Sequence, residues 1–81
     1  MKVRVLYFQA LSAAARRAEE TVDLPDGSSV ECLLTRLAAS HPDLAPVAAG
    51  LLCAVNEEHS PRDRPLKSGD VVALMPPFSG G

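Results

Sequence analysis

The sequence is poor in the residues that build disulfide-stapled or metal-bound folds. It has no tryptophan, one tyrosine, two phenylalanines and two cysteines among its 81 residues. Cys32 and Cys53 are separated by twenty residues and form neither a C-x-x-C pair nor a ligand cluster with His41 or His59. We therefore predict no disulfide and no metal site, and we expect both thiols to be free and buried, as suits a reducing cytoplasm.

Net charge and long apolar runs are also scarce. The formal net charge is −2, and the basic residues do not gather into the basic face that nucleic-acid binding requires, so no nucleic-acid partner is predicted. The first residues do not form a basic segment followed by a long apolar run. We therefore expect no signal peptide, no membrane span and a cytoplasmic location.

Catalytic motifs are missing as well. The sequence contains no G-x-S-x-G elbow, no glycine-rich phosphate loop and no H-E-x-x-H motif. A chain of 81 residues supports one domain, in which a helix packs on a sheet, and it leaves little room for a complete catalytic apparatus. A carrier, a binding module or a subunit is favoured over a free-standing enzyme.

Residues 2–9 alternate between two sets of side chains, which predicts a first β-strand. The side chains predicted to face the core are Val3, Val5 and Tyr7. The opposite face becomes apolar at Leu6 and Phe8, which would lie exposed if one side of the sheet is open, and exposed apolar patches mark partner sites. Alternatively, a loop covers these two residues or the strand is buried on both faces.

Residues 10–20 are alanine-rich and predict a short helix or helical turn whose charged residues, including Arg16 and Glu20, form a solvated face. Residues 21–24 predict a second strand, which is closed by the turn formed by residues 25–27.

The main helix follows this turn. Ser28 is predicted to cap it, with Glu31 completing a capping box. The helix is expected to end at His41 because Pro42 disfavours helical geometry in the residue before it. Its apolar positions, spaced i, i+3, i+4, i+7 and i+8, are Val30, Leu33, Leu34, Leu37 and Ala38. A short helical turn after the main helix is expected to pack Leu44 and Val47.

The second half of the chain predicts the remaining strands. Residues 51–55 read as a largely buried strand, residues 57–64 as a polar loop or weak edge strand, and residues 71–75 as the last strand. The chain is therefore divided into a domain of residues 1–75 and a flexible tail of residues 76–81.

The tail ends in Pro76-Pro77-Phe78-Ser79-Gly80-Gly81. The prolines stop the strand and favour an extended path, and the glycines can pass a channel too narrow for other residues. The α-carboxylate of Gly81 is a poor electrophile until it is activated, for which the generic route is attack on the α-phosphorus of ATP to give an acyl-adenylate. The alternative is that the two glycines form a frayed end.

Four segments together resemble the MoaD family of small sulfur carriers, the ubiquitin-like β-grasp subunits of molybdopterin synthase. They are residues 3–8 (VRVLYF), residues 24–27 (LPDG), residues 54–56 (AVN) and residues 65–81, in which a Gly-Asp-Val turn leads to Pro-Pro and the Gly-Gly end. The resemblance implies an α+β fold in which a mixed sheet of four to five strands packs on one main helix.

What the resemblance implies about function is a cycle. An ATP-dependent adenylating enzyme activates Gly81, a sulfurtransferase converts it to a thiocarboxylate, and the tail enters the large catalytic subunit, in an expected heterotetramer, to donate sulfur to cyclic pyranopterin monophosphate. Phe78, Ser79 and Gly80 would thread with it. Docking is assigned to Phe8 and Met75, together with Leu6. The chain is expected to bind no cofactor and to catalyse nothing by itself.

Three other functions stay open on the sequence. A similar carrier could serve thiazole synthesis or tRNA thiolation. The same activated carboxylate could join the chain to lysine amines, as in a ubiquitin-like modifier. Finally, the domain could be a plain binding module whose tail has no chemical role.

Overall fold

The computed structural model describes residues 1–76, and the predictions for Phe78, Ser79, Gly80 and Gly81 lie outside those residues. The elements are strand β1 (Lys2–Tyr7), helix α1 (Ala10–Ala15), strand β2 (Glu19–Asp23), helix α2 (Val30–Ser40), a 3₁₀ helix (Ala45–Gly50), and strands β3 (Leu52–Val55), β4 (Glu58–His59) and β5 (Val71–Met75). The strand order is β2-β1-β5-β3-β4. β1 and β5 run parallel and the other neighbours are antiparallel, which confirms the predicted mixed sheet of the β-grasp fold.

The core lies between α2 and one face of the sheet. The predicted stripe of α2 is buried at Val30, Leu33, Leu34 and Leu37, whereas Ala38 is half-buried. The sheet contributes alternate residues of its two central strands, which are Val3, Val5, Val72 and Leu74, each at most 1% exposed. Each such aliphatic side chain contributes roughly 1.5–3 kcal/mol on burial, so this interface supplies most of the stability of the domain.

The N-terminus of α2 differs from the prediction by one residue. Ser29, not Ser28, is the N-cap, and its Oγ accepts a hydrogen bond from the Cys32 N–H at 3.3 Å. The Ser28 hydroxyl instead donates to the Pro25 carbonyl at 2.7 Å and closes the preceding turn. With the cap at Ser29, Glu31 falls one position short of where a capping box requires it, so the predicted box was wrong.

The two cysteines lie in different environments. Cys53 is buried, as predicted, and burial raises the pKa of its thiol. Cys32 is exposed in the first turn of α2, so the prediction that it is buried was wrong. The Ser29 hydroxyl donates to Cys32 Sγ, and this hydrogen bond lowers the pKa of Cys32. Both thiols are free.

The short helix predicted after β1 is present. α1 ends at Ala15 because Arg16 adopts the left-handed conformation, with φ 60°, and β2 begins at Glu19, two residues before the predicted start of the second strand. The carboxylate of Glu20 is mostly buried, so the prediction that it belongs to a solvated face was wrong.

The 3₁₀ helix buries less than expected. Leu44, which precedes it, is buried, but Val47 is 40% exposed. Ala45 and Ala48 line a groove beside α2, and with three residues per turn they share one side of the 3₁₀ helix while Val47 points elsewhere. The predicted packing of Val47 was wrong.

Candidate functional site

The face of the sheet opposite α2 carries a continuous set of apolar side chains, which we call the apolar face. It is formed by Leu6, Phe8, Leu52, Ala54, Val71, Ala73 and Met75. The register brings them together: Leu6 lies opposite Ala73, which lies opposite Ala54 on the far side of β5. None of these seven residues is fully buried within residues 1–76.

Two large side chains on the apolar face are strongly exposed. Phe8 is 45% exposed and Leu52 is 40% exposed, whereas Leu6 and Met75 are half-buried. Phe8 keeps its strand-like position because its N–H donates to the Leu74 carbonyl at 3.1 Å, which extends the pairing of β1 with β5. A contiguous exposed apolar patch on a small domain is typical of a protein-binding site.

The structure adds Leu52 to the three docking residues predicted from the sequence. It places Leu6, Phe8 and Met75 on one face, which a shared docking surface requires. Leu52 lies directly opposite Met75. The strand containing Leu52 was predicted to be largely buried. The exposure of its side chain could have been inferred only from two facts together. Leu52 and the buried Cys53 are adjacent on one strand and point to opposite faces, and that strand pairs with the distant β5.

The strand that precedes the tail, β5, ends at the apolar face. β5 is flanked by β1 and β3, and its inward residues Val72 and Leu74 are fully buried. Met75 is the last residue of the strand, and Pro76 follows at the border of the apolar face. The central position of β5 therefore fixes where Met75 and Pro76 lie relative to the apolar face.

The start of β5 is fixed by Asn56. Its side-chain amide donates to Asp70 Oδ1 at 3.0 Å and its Oδ1 accepts from the Val71 N–H at 3.0 Å. The Lys67 N–H donates to Asp70 Oδ2 at 2.8 Å. Partial desolvation raises the pKa of Asp70, but the hydrogen bonds from Lys67 and Asn56 outweigh it, so its pKa lies below the usual value. These bonds set the register of the strand that carries the tail.

A cluster of polar side chains lies at the C-terminal end of β1, just before Phe8. The Tyr7 hydroxyl donates to Glu20 Oε2, and His41 Nε2 lies 2.6 Å from the same oxygen. Arg17 Nη1 lies 3.4 Å from the other carboxylate oxygen. The cluster links the end of β1 to β2 and to the end of α2. The cluster could not be predicted from the sequence because its three main members are far apart in the chain.

The ionisation of this cluster follows from its burial and hydrogen bonds. Burial raises the pKa of Glu20, but the bonds from Tyr7 and His41 outweigh burial, so the pKa lies below the ordinary 4.5. Burial and the bond to Glu20 raise the pKa of Tyr7. At neutral pH, Glu20 is therefore a carboxylate and Tyr7 is a neutral phenol. The hydrogen bond between them is charge-assisted and has a structural role.

Residues 1–76 contain no group of three or more histidine, cysteine or acidic side chains placed to hold a metal ion. Among their helices, the longest, α2, has eleven residues, and none has the length and apolar character that a bilayer crossing requires. The candidate functional features of residues 1–76 are the apolar face and the end of β5.

Comparison with known proteins agrees with this geometry. The ThiS family profile matches residues 5–81. The chain is 42% identical to the molybdopterin synthase sulfur carrier subunit of Chlamydomonas reinhardtii over 83 aligned positions, which cover 100% of both chains. Its structure superposes on that of a protein described as molybdopterin converting factor, subunit 1, from Pyrococcus furiosus with a TM-score of 0.88 and 31% identity, over 96% of this chain and 99% of that one.

A complex of subunits 1 and 2 of the molybdopterin-converting factor from Helicobacter pylori contains a chain of the same fold. The TM-score is 0.69 with 23% identity, and the match covers 100% of both chains. Because the family profile spans nearly the whole sequence, the chain belongs to the ThiS family, which confirms the resemblance to small sulfur carriers that its sequence predicts.

Proposed function

We propose that this chain is the sulfur carrier subunit of a molybdopterin synthase and supplies sulfur for molybdenum cofactor biosynthesis. The observation that carries the proposal is the end-to-end match to a sulfur carrier subunit at 42% identity. The position of Pro76 beside the apolar face supports it, since a carrier must present its terminus next to its docking surface. The chain is not an enzyme by itself in this proposal, and its expected compartment is a reducing cytoplasm, where Cys32 and Cys53 stay free.

The proposed chemistry takes place at Gly81. A carboxylate oxygen attacks the α-phosphorus of ATP on an adenylating enzyme and releases pyrophosphate. Sulfur at the oxidation level of hydrosulfide, delivered by a sulfurtransferase, then displaces AMP from the acyl carbon and leaves a thiocarboxylate. In the large subunit, the thiocarboxylate sulfur displaces an oxygen substituent from a carbon of cyclic pyranopterin monophosphate. Water then cleaves the bond between the acyl carbon and the sulfur, so the sulfur stays on the pterin and Gly81 returns to a carboxylate. Gly80 and Ser79 thread with Gly81 because small residues pass a narrow channel.

The proposed docking surface is the apolar face. Phe8 and Leu52 are its exposed anchors, and aromatic residues at the centre of an interface often carry much of the binding energy. The five residues after Pro76 span at most about 18 Å when fully extended. The acceptor site of the large subunit is therefore expected within that distance of the edge of the apolar face. The complex of two subunits from Helicobacter pylori supports a partner of this kind.

The test of the proposed function is intact mass spectrometry. The chain is incubated with ATP, its adenylating enzyme and a sulfur source, and a mass increase equal to sulfur replacing oxygen is expected on Gly81. A chain that lacks Gly81 is the control and should stay unmodified. Addition of the large subunit and cyclic pyranopterin monophosphate should return the loaded chain to its original mass.

Three results would contradict the proposal. A carboxylate recovered unchanged in the presence of an active adenylating enzyme would favour a plain binding module. Conjugates to lysine amines that disappear when Gly81 is deleted, without sulfur loading, would favour a ubiquitin-like modifier. Sulfur loading without transfer to the pterin would direct the search to another acceptor.

A further inference from the structure

A groove opens on the apolar face near Val71, the first residue of β5. Its volume is about 310 Å³, and it is lined by Leu6, Val71, Asn56 and Glu57. Leu6 and Val71 make it apolar, whereas Asn56 and Glu57 belong to the turn between β3 and β4 and add a polar side. Small-molecule pockets usually occupy about 300–1,000 Å³, so this groove lies at the lower end of that range and has room for one inserted side chain.

The turn that borders the groove has an unusual residue at its second central position. Val55 and Glu58 pair across the hairpin, and the two residues between them have positive φ, 52° at Asn56 and 72° at Glu57. Two-residue hairpins of this kind favour asparagine followed by glycine, since glycine adopts positive φ without steric cost. Asn56 fits this rule, but the second position carries glutamate, and this exposed residue borders the groove.

The carboxylate of Glu57 lacks an internal cation. Among residues 1–76, Glu57 takes part in no salt bridge, while the neighbouring Glu58 lies 3.9 Å from Arg64. The Asn56 side chain is already bonded to Asp70 and to the Val71 N–H. Glu57 therefore gives the groove a negative charge that is available to a partner.

We propose that this groove receives an arginine side chain of the large subunit. Arginine matches both parts of the groove because its aliphatic stem can lie on Leu6 and Val71 while its guanidinium donates two hydrogen bonds to the Glu57 carboxylate. Lysine lacks the planar fork that makes this contact bidentate. The inference rests on the proposed function, since Leu6 and Val71 are continuous with the apolar face that the large subunit is proposed to cover.

The test is calorimetric titration of the full chain with the purified large subunit. A charge-assisted hydrogen bond contributes about 1.5–3 kcal/mol, so Glu57→Gln is expected to raise the Kd about ten- to hundredfold. Glu58→Gln is the matched control, because it removes a neighbouring carboxylate outside the groove, and it should leave the Kd unchanged. The affinity of the wild type should also fall with added salt more steeply than that of Glu57→Gln.

Glu57→Gly separates binding from folding. Glycine relieves the positive φ at this position, so the Tm should stay equal or rise while the Kd increases as it does for Glu57→Gln. An unchanged Kd for Glu57→Gln would overturn the inference, and so would a loss of affinity confined to the adenylating enzyme. If the wild type does not bind the large subunit at all, the proposed function itself fails, which is a different result from equal binding of wild type and variant.

Discussion

Leu52 lies directly opposite Met75 across the antiparallel pair of β3 and β5. This pairing places an exposed leucine next to the residue at which β5 ends. The row of the apolar face at the end of β5 therefore contains apolar side chains from both strands. Phe8 extends the same row from β1, where its N–H bonds to the Leu74 carbonyl. A partner that covers this row would contact Met75, the last residue of β5.

Charge introduced into this row is expected to weaken docking. Phe8→Asp and Leu52→Asp should each raise the Kd for the large subunit at least about thirtyfold, because they place a carboxylate in a desolvated apolar contact. Isothermal titration calorimetry measures the effect. Both side chains are largely exposed in the isolated chain, so the Tm should change little.

Val47→Asp is the matched control for these two variants. Val47 is also 40% exposed, but it belongs to the 3₁₀ helix and not to the sheet. Its substitution should leave the Kd unchanged. Equal affinities for wild type, Phe8→Asp and Leu52→Asp would show that the large subunit binds elsewhere.

The regular elements could be predicted because their patterns are local. The buried face of α2 follows from the spacing of Val30, Leu33, Leu34 and Leu37, and the core residues of β1 follow from simple alternation. The exposed position of Leu52 could not be predicted in this way. It depends on which strand pairs with β5, a contact between residues more than twenty positions apart.

Polar groups were the less predictable part of the chain. Ser28 and Ser29 are chemically identical candidates for the cap of α2, and the choice depends on the bond of Ser28 to the Pro25 carbonyl. Glu20 was predicted to be solvated because its neighbours in sequence are charged. Its carboxylate is instead bound by Tyr7 and His41, which only the folded chain brings together.

Extension of the chain by one alanine after Gly81 is expected to abolish sulfur loading. The added residue moves the carboxylate and places a Cβ beside the acyl carbon, where a channel that fits glycine leaves no space. Intact mass spectrometry after incubation with ATP, the adenylating enzyme and a sulfur source should show an unmodified product. The Tm should equal that of the wild type, and normal loading of the extended chain would rule out the terminal-carboxylate mechanism.

Removal of the Asn56 side chain is expected to destabilise the fold. Asn56→Ala loses the bonds to Asp70 and to the Val71 N–H, at a cost of about 1–3 kcal/mol. In a domain of this size the Tm falls by roughly 4–8 °C for each kcal/mol, which calorimetry can detect. Asn56→Gly keeps a residue suited to positive φ, so a similar loss in both variants would assign the effect to the amide bonds rather than to the turn.

Glu20 is expected to make the stability of the chain dependent on acid pH. Because its pKa is below 4.5 in the folded chain, the folded state binds the proton more weakly than the unfolded state. The stabilisation is complete above the unfolded pKa and is lost as the pH falls through the folded pKa. Glu20→Gln should therefore lower the free energy of unfolding by about 1–3 kcal/mol at pH 7, and this difference should shrink below pH 4.5 in urea titrations. Glu19→Gln, at the neighbouring exposed carboxylate that pairs with Arg4, should change the stability much less, and a pH-independent difference for Glu20→Gln would show that its carboxylate does not hold the cluster through charge.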